Sequence, residues 1–203
     1  MTHPHVLHAL IAAHHLAQAR TRLSQAIDWE IRLQAQDRLA LTASANIQAW
    51  RPTIGRASGG HADPTGDAIR STTLAPVEPG HLRRFQAHVD RRLDWITHGL
   101  SLRKVTALLP RLGPAGAERL TGWLAGLDAE IRAELELGPA REELLAGAAC
   151  PACSTRLLHA QALVPGRPVV CRWVGCRCAG EGCPCGMTAP VAGLVHVWAA
   201  LPG

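Results

Sequence analysis

Aromatic side chains other than Trp are nearly absent from this sequence, and so is Lys. It contains no Tyr, one Phe and six Trp, and Lys104 is the single Lys among 21 basic residues. Ala, Gly, Arg and Pro are abundant instead. Hydrophobic residues still make up 47% of the 203 positions, which excludes a disordered chain and suffices for a core in one or two domains.

Long apolar runs are also missing. No segment approaches the roughly 20 apolar residues that a membrane span needs. Residues 6–13, followed by small residues at 17 and 19, faintly imitate a secretory leader, but no Lys or Arg precedes them and His8 interrupts them. We therefore expect a cytoplasmic protein that makes no membrane contact, with this segment as the start of its first helix.

Apolar residues at helical spacing dominate the first three-quarters of the chain. Residues 5–48 favour two helices with a shared apolar face, and the strongest pattern runs from Leu82 to Leu100. A further amphipathic helix is expected between Leu120 and Leu135. Such helices pack apolar face to apolar face, which predicts a bundle or helical hairpins, or a homodimer through the same faces.

Breaks in this periodicity define the expected connections. Gly and Pro favour a flexible loop at about 51–66 and a linker at about 74–80. After Gly138-Pro139 a last short helix is expected to run to about Ala148. Residues 1–148 are thus predicted to form a helical domain.

The charge balance is mildly basic, with a formal net charge of +5 and a sequence pI of about 9.1. This is compatible with DNA as a partner. The arginines are spread along helical stretches, however, and a solvated helix face explains most of them.

Cysteine is confined to one short segment. All seven cysteines lie between Cys150 and Cys185, where helical periodicity ends and Gly and Pro become frequent. Residues 169–170 and 195–197 favour short strands. We therefore expect a separate module over residues 149–203.

The first four cysteines have the spacing of a zinc ribbon. Cys150 and Cys153 flank a tight Pro-Ala turn, and Cys171 and Cys176 flank a looser one. Each turn brings two thiolates toward one tetrahedral ion, and the spacer is long enough for a β-hairpin. These residues are predicted to bind one Zn²⁺.

Three thiols remain for a second ion, namely Cys178, Cys183 and Cys185. A structural zinc site needs four protein ligands, and His196 follows within eleven residues. Seven cysteines and one histidine complete two tetrahedral sites. We therefore predict two Zn²⁺ ions.

A second partition of the ligands remains open. The two CxC pairs at 176–178 and 183–185 are symmetric, and residues i and i+2 of an extended chain face the same way. These pairs can therefore hold one ion by themselves. The other ion would then take Cys150, Cys153, Cys171 and either His159 or His196.

The cysteines do not suggest disulfides or catalysis. Their number is odd, no leader is evident and the helical part has none, all of which disfavours a disulfide framework. Four protein ligands for each ion leave no position for water, which is typical of structural zinc. With no phosphate-binding loop, HExxH or nucleophile elbow in the sequence, we expect a non-enzymatic protein.

Two kinds of partner fit the residues around the second cysteine turn. Arg172, Trp173 and Arg177 can form a surface for phosphates and stacked bases, although arginines here can also simply offset the charge of the thiolates. The alternative is a protein partner that docks on Trp173 or Trp198. The first expectation is a regulatory or adaptor protein that contacts DNA, and the second is a protein–protein interaction module with purely structural zinc and no nucleic-acid binding.

The cysteine pattern resembles a family, uncharacterised proteins of actinobacteria and their phages and prophages, in which a helical N-terminal region precedes a cysteine-rich, zinc-ribbon-like end. The likeness is clearest over residues 145–199 and extends to residues 60–66 and the helix after Leu82. The resemblance implies zinc, a mobile-element setting and a bacterial host cytoplasm, but no particular activity. The expected fold is mainly α, with a helical bundle or hairpins followed by a small C-terminal zinc-ribbon-like β module. The motifs that carry the likeness are Cys150-Pro-x-Cys153, Val169-Val170-Cys171, Cys176-x-Cys178, Cys183-x-Cys185 and His196-x-Trp198.

Overall fold

The structure, a computed structural model, describes residues 3–49 and 80–201, with only the backbone described over 41–49. The loop expected at about 51–66 and the linker expected at about 74–80 lie outside these residues, apart from Gly80.

The chain divides into two compact units. The first comprises Met1–Leu23 and His88–Gly203, and the second comprises Ser24–Ala87. Residues on both sides of the expected boundary after residue 148 thus belong to the first unit. That boundary stays a prediction about which part can fold alone.

Helices account for most of the described chain. They are α1 (Pro4–Ala49), α2 (His81–Thr97), α3 (Leu102–Leu108), a 3-10 turn (Leu109–Arg111) and α4 (Pro114–Glu134). The prediction of two helices within residues 5–48 is wrong, because one helix runs through the whole segment. No Gly or Pro occurs there to interrupt its hydrogen bonds, so the periodicity continues unbroken.

The ends of the helices follow from local chemistry. Beyond α2, His98 and Gly99 take positive φ angles of 51° and 75°, a common way to end a helix. The Ser101 hydroxyl accepts a hydrogen bond from the Lys104 amide and caps α3. Pro114 is the first residue of α4, where its missing amide hydrogen costs nothing.

The apolar faces of α2 and α4 are buried along most of their length, whereas Leu100, at the end of the predicted pattern, lies beyond α2 and is 38% exposed. Arg20 of α1 pairs with Asp90 of α2 at 2.6 Å, and Arg92 of α2 pairs with Glu130 of α4. The three helices are therefore neighbours within the first unit. The buried side chains of the two faces are Val89, Leu93, Ile96, Leu120, Leu124, Leu127 and Ile131.

A small sheet follows the helices. Its strands β1 (Glu143–Leu144), β2 (Leu158–Ala160), β3 (Val169–Cys171) and β4 (Val197–Trp198) lie in sequence order, each antiparallel to the next. The prediction of a last short helix that ends at about Ala148 is wrong. Glu143 and Leu144 of that segment pair with β2, because a strand edge satisfies their backbone groups better than one isolated helical turn.

The two faces of the sheet have different neighbours. Leu158, Ala160, Val169 and Trp198 pack with the buried cysteines. Because side chains alternate along a strand, Val170 and its neighbour Val197 face the other way. There they pack with Leu7 and Ile11 of α1 and with Val164. The N-terminal end of α1 thus covers one face of the sheet.

These elements confirm a mainly α protein with a small C-terminal antiparallel β region. None of the described helices is both long and apolar enough to cross a bilayer.

Candidate metal centres

The eight candidate ligands form two groups of four. Within each group all ligand atoms lie within 4.8 Å of one another. The grouping matches the first of the two partitions. Group A consists of Cys150, Cys153, Cys171 and Cys176, and group B consists of Cys178, Cys183, Cys185 and His196.

The sulfur separations in group A suit a tetrahedral ion. The Sγ atoms of Cys150 and Cys176 are 3.8 Å apart, and those of Cys153 and Cys171 are 3.9 Å apart. Four thiolates at a Zn–S distance of about 2.3 Å place neighbouring sulfurs about 3.8 Å from each other. A disulfide needs about 2.05 Å, and all seven cysteines are free thiols.

Backbone turns position the ligands of group A. The Ser154 amide donates to the Cys150 carbonyl at 2.8 Å, and the Cys150 amide donates to the Thr155 carbonyl at 2.8 Å. Ser154 has a φ of 57°, which closes this turn. Cys171 ends β3, and the Cys176 amide donates to the Trp173 carbonyl at 2.9 Å. Two turns thus present two thiols each, as the spacing predicts.

Group B depends on a glycine-rich loop. Gly180 and Gly182 have φ angles of 91° and 81°, a conformation that other residues rarely adopt. The Cys183 amide donates to the Gly180 carbonyl at 3.1 Å, which brings Cys183 back toward Cys178. The Cys178 amide donates to the Leu194 carbonyl at 2.8 Å, so the segment before β4 runs beside this loop and delivers the histidine.

His196, a member of group B, is fully buried, and its ring also contacts a thiol of group A. Its Nε2 is 3.4 Å from Cys183 Sγ of group B, and its Nδ1 is 3.0 Å from Cys176 Sγ of group A. The ring stacks on Trp198 with the centroids 5.7 Å apart. Trp198 in turn donates its indole hydrogen to the Cys185 carbonyl at 2.7 Å, so both residues are fixed in place.

Thiol ionisation within group A is uneven. Burial raises the pKa of Cys150, and burial together with the neighbouring thiols raises that of Cys176. Burial also acts on Cys153, but hydrogen bonds from Thr155 and the other thiols outweigh it and hold its pKa at about 7. The Cys153 thiolate therefore forms readily, and Cys150 and Cys176 need a cation to offset their charge.

Group B has the same asymmetry. Burial opposes ionisation of Cys183, yet hydrogen bonds from the Ala179 backbone and His196 hold its pKa at about 6. Burial and the nearby thiols raise the pKa of Cys185 to about 11. Each group therefore offers one thiolate near neutral pH for the capture of a metal, and metal binding would displace the remaining protons.

The alternative partition is not formed. His159 lies in β2, and its Nδ1 is 3.5 Å from Glu142 Oε2, so it belongs to neither group. The first CxC pair is divided, because Cys176 joins group A while Cys178 joins group B, and only Cys183 and Cys185 stay together. The bridge between Arg177 and Val195 lies between these two cysteines.

Of the three residues expected to contact nucleic acid, two are exposed and one is held in an ion pair. Trp173 is half exposed and Arg177 is exposed. Arg172 is bound through its guanidinium to the Glu142 carboxylate, which lowers the pKa of that carboxyl against the effect of burial. Trp198, one of the two expected docking residues for a protein, is only 3% exposed and cannot serve as one.

Two residues that support the ligands, Thr155 and Trp198, are not predicted to do so from the sequence. The Thr155 hydroxyl is 3.1 Å from Cys153 Sγ, and its position two residues after a ligand was the available signal. Trp198 supports His196 and Cys185, and its place two residues after His196 on an extended segment was a comparable signal. Glu142 carries no such signal, because its partner Arg172 is distant in sequence.

Comparison with known proteins adds no identification. No protein-family model, curated protein or solved structure matches this chain. Its function is therefore inferred from its own residues and their geometry.

Proposed function

We propose that this protein is a non-enzymatic adaptor whose cysteine-rich region is stabilised by two structural Zn²⁺ ions. The observation that carries the proposal is the division of eight ligand atoms into two groups of four. Zinc is the ion best suited to them, because thiolate and imidazole ligands in fours match its tetrahedral preference.

A structural role is favoured over a catalytic one. Each group supplies four protein ligands, so a tetrahedral ion keeps no position for water or substrate. Both groups are also largely buried, with Cys153 and Cys183 only partly covered. Catalytic zinc usually activates a bound water, and such an ion has no coordination position for one.

The ions would stand in for a conventional core. Cysteines make up much of the buried cluster on one face of the sheet, where few large apolar residues are present. The ligands come from segments far apart in sequence, at residues 150–153, 171–178, 183–185 and 196. Metal binding joins these segments and thereby stabilises the sheet on which the N-terminal end of α1 packs.

Exposed apolar residues favour a protein as the partner. Trp95 of α2 is 71% exposed and contacts Trp123 of α4, which is 44% exposed, at a centroid distance of 5.7 Å. Val174, at the tip of the second cysteine turn, is 84% exposed beside Trp173. Indole rings that remain in solvent are typical of residues that bury on binding a protein.

DNA contact is the second candidate, and one observation favours it. Arg177 and Trp173 are both exposed on the same cysteine turn, and the chain carries a formal charge of +5. Cation and aromatic ring together suit phosphate and base contacts. Arg172 contributes little to such a surface, because Glu142 already holds its guanidinium.

The proposed setting is the cytoplasm of a bacterium, with a phage or prophage origin. Support comes from the resemblance of the cysteine pattern and from the seven free thiols, which a reducing compartment keeps available for metal.

X-ray absorption at the zinc edge tests the structural role. The expected first shells, summed over the two ions, contain seven sulfurs at about 2.3 Å and one nitrogen at about 2.0 Å. The Cys153→Ser variant is the control: it should lose the ion of group A, so that its remaining zinc shows the group B shell of three sulfurs and one nitrogen. A first shell in the parent that needs additional oxygen would contradict a closed structural site.

Sedimentation and anisotropy measurements separate the two kinds of partner. If a second copy of the chain is the protein partner, Trp95→Ala should shift the parent from dimer to monomer, while Trp29→Ala, an equally exposed Trp elsewhere, should not. Binding of a labelled DNA duplex that weakens steeply with salt and is reduced by Arg177→Gln would favour the DNA candidate instead.

A further inference from the structure

The imidazole of His196 contacts both groups of candidate ligands, one through each ring nitrogen. The Nε2 atom lies 3.4 Å from Cys183 Sγ, close to the edge of about 3.5 Å between nitrogen and sulfur around one tetrahedral zinc. Nε2 is therefore positioned as a ligand in group B.

The other nitrogen has a different role. Nδ1 lies 3.0 Å from Cys176 Sγ, which is too short for two ligands of the same ion and marks a short hydrogen-bond contact between the ring nitrogen and sulfur. A neutral imidazole has one hydrogen, so an Nε2 atom bound to metal leaves that hydrogen on Nδ1, directed at Cys176.

The surroundings keep the ring in this orientation. His196 is fully buried, so water does not compete for either nitrogen. Its carbonyl accepts a hydrogen bond from the Cys171 amide at 3.1 Å, which ties its backbone to another ligand of group A. Trp198 stacks against the ring at an interplanar angle of 18°.

We propose that His196 couples the two metal centres, with Nε2 as a ligand in group B and Nδ1–H as a hydrogen-bond donor to the Cys176 thiolate of group A. The inference rests on the proposal that both groups hold metal. A metal on Nε2 polarises the ring and strengthens the Nδ1–H donor, and the hydrogen bond in turn reduces the charge on a thiolate of the neighbouring ion.

Coupling of this kind makes the two sites fill together. Because linkage is reciprocal, occupation of either group raises the affinity of the other by the same factor. Hydrogen bonds to metal ligands typically change metal affinity roughly 10- to 100-fold. For sites of similar intrinsic affinity, a coupling of that size limits the one-ion species at half loading to about a quarter of the molecules or less, against about half for independent sites.

Native mass spectrometry during titration of the metal-free full chain with Zn²⁺ tests the coupling. The parent should pass from no ion to two with little one-ion species. His196→Cys retains a fourth ligand for group B but lacks the donor, and it should accumulate the one-ion species. His88→Cys is the matched control, because it introduces the same side chain at an exposed position of α2 that belongs to neither group, and it should load as the parent does.

A second measurement does not depend on any variant. In the zinc-loaded parent, long-range ¹H–¹⁵N NMR of the histidine rings should show His196 with its hydrogen on Nδ1 and its Nε2 bound to metal. In protein loaded with ¹¹³Cd, that hydrogen should also couple to the cadmium of group A through Cys176.

The outcomes separate the coupling from the proposed function. Failure of the parent to bind any Zn²⁺ would overturn both. Two ions that load independently, or a hydrogen found on Nε2, would overturn the coupling and leave two structural sites intact.

Discussion

The helices and the cysteine-rich region of the first unit are stabilised by different side chains. Leu16, Leu124, Leu127 and Ile131 are fully buried in the helices and need only the hydrophobic effect. Cysteines make up half of the buried cluster in the cysteine-rich region. The comparison indicates that periodic apolar residues suffice for one region, while the other depends on metal.

Removal of metal should have the largest effect, and it should destabilise the cysteine-rich region while leaving the helices folded. Structural zinc contributes on the order of 10 kcal/mol to the folding of small modules. We expect chelation to abolish amide exchange protection over residues 150–198 and to leave α4 protected, as followed by hydrogen–deuterium exchange. Addition of Zn²⁺ should restore the pattern. Equal loss of protection in α4 would show that the helices also depend on the ions.

Acidification should also destabilise the cysteine-rich region, because protons compete with the metal for the thiolates. The pKa values of Cys153 and Cys183, about 7 and about 6, lie below the ordinary 9.0. Thiolate ionisation therefore stabilises the folded chain at high pH, and this contribution is lost as the pH falls through about 7 and about 6. We expect a zinc-sensitive dye to report release only below about 6, since metal must first be displaced by protons. Zinc release that begins above the pKa of Cys183, about 6, would contradict this expectation.

Truncation of a helical core residue should give the opposite result. Leu124→Ala removes a fully buried side chain and should lower the free energy of unfolding by about 2–5 kcal/mol. Zinc content, measured by native mass spectrometry, should remain that of the parent. Leu112→Ala, at a side chain that is 38% exposed, is the control and should cost much less. Loss of zinc from Leu124→Ala would remove the distinction between the regions.

The smallest effect is expected at an exposed ion pair of the sheet. Arg167 and Glu143 pair at 2.5 Å, but their side chains are 60% and 58% exposed. Such pairs are worth about 0–1 kcal/mol, so Arg167→Gln should leave both thermal stability and zinc content almost unchanged. A clear loss of zinc on this substitution would mean that the charge of Arg167 supports the metal centres.

The sequence predicts the helical part where local patterns decide the outcome. Apolar spacing locates α2 and α4, because burial follows directly from which side of a helix a residue occupies. It fails at Glu143–Leu144, where pairing with the distant β2 overrides a helical pattern. It also divides α1 in two, although nothing in that segment breaks a helix.

The ligand groups are predictable for another reason. A tetrahedral ion requires four ligands, so the counting of thiols and His196 predicts two sites, and the zinc-ribbon spacing of the first four cysteines favours the partition that the structure forms over the CxC alternative. Counting does not reveal how the ring of His196 is oriented, and its contact with Cys176 is therefore visible only in three dimensions. The same holds for Glu142, whose ion pair with Arg172 reduces the case for a phosphate-binding surface.

Counting of bound ions by native mass spectrometry tests the central claim most directly. The parent chain, purified without added metal and then saturated with Zn²⁺, should carry two ions per chain. Cys153→Ser should lose the ion of group A and keep the other, since the ligands of group B are unchanged. A parent that carries one ion or none would contradict the account of two metal centres built from seven thiols and one histidine.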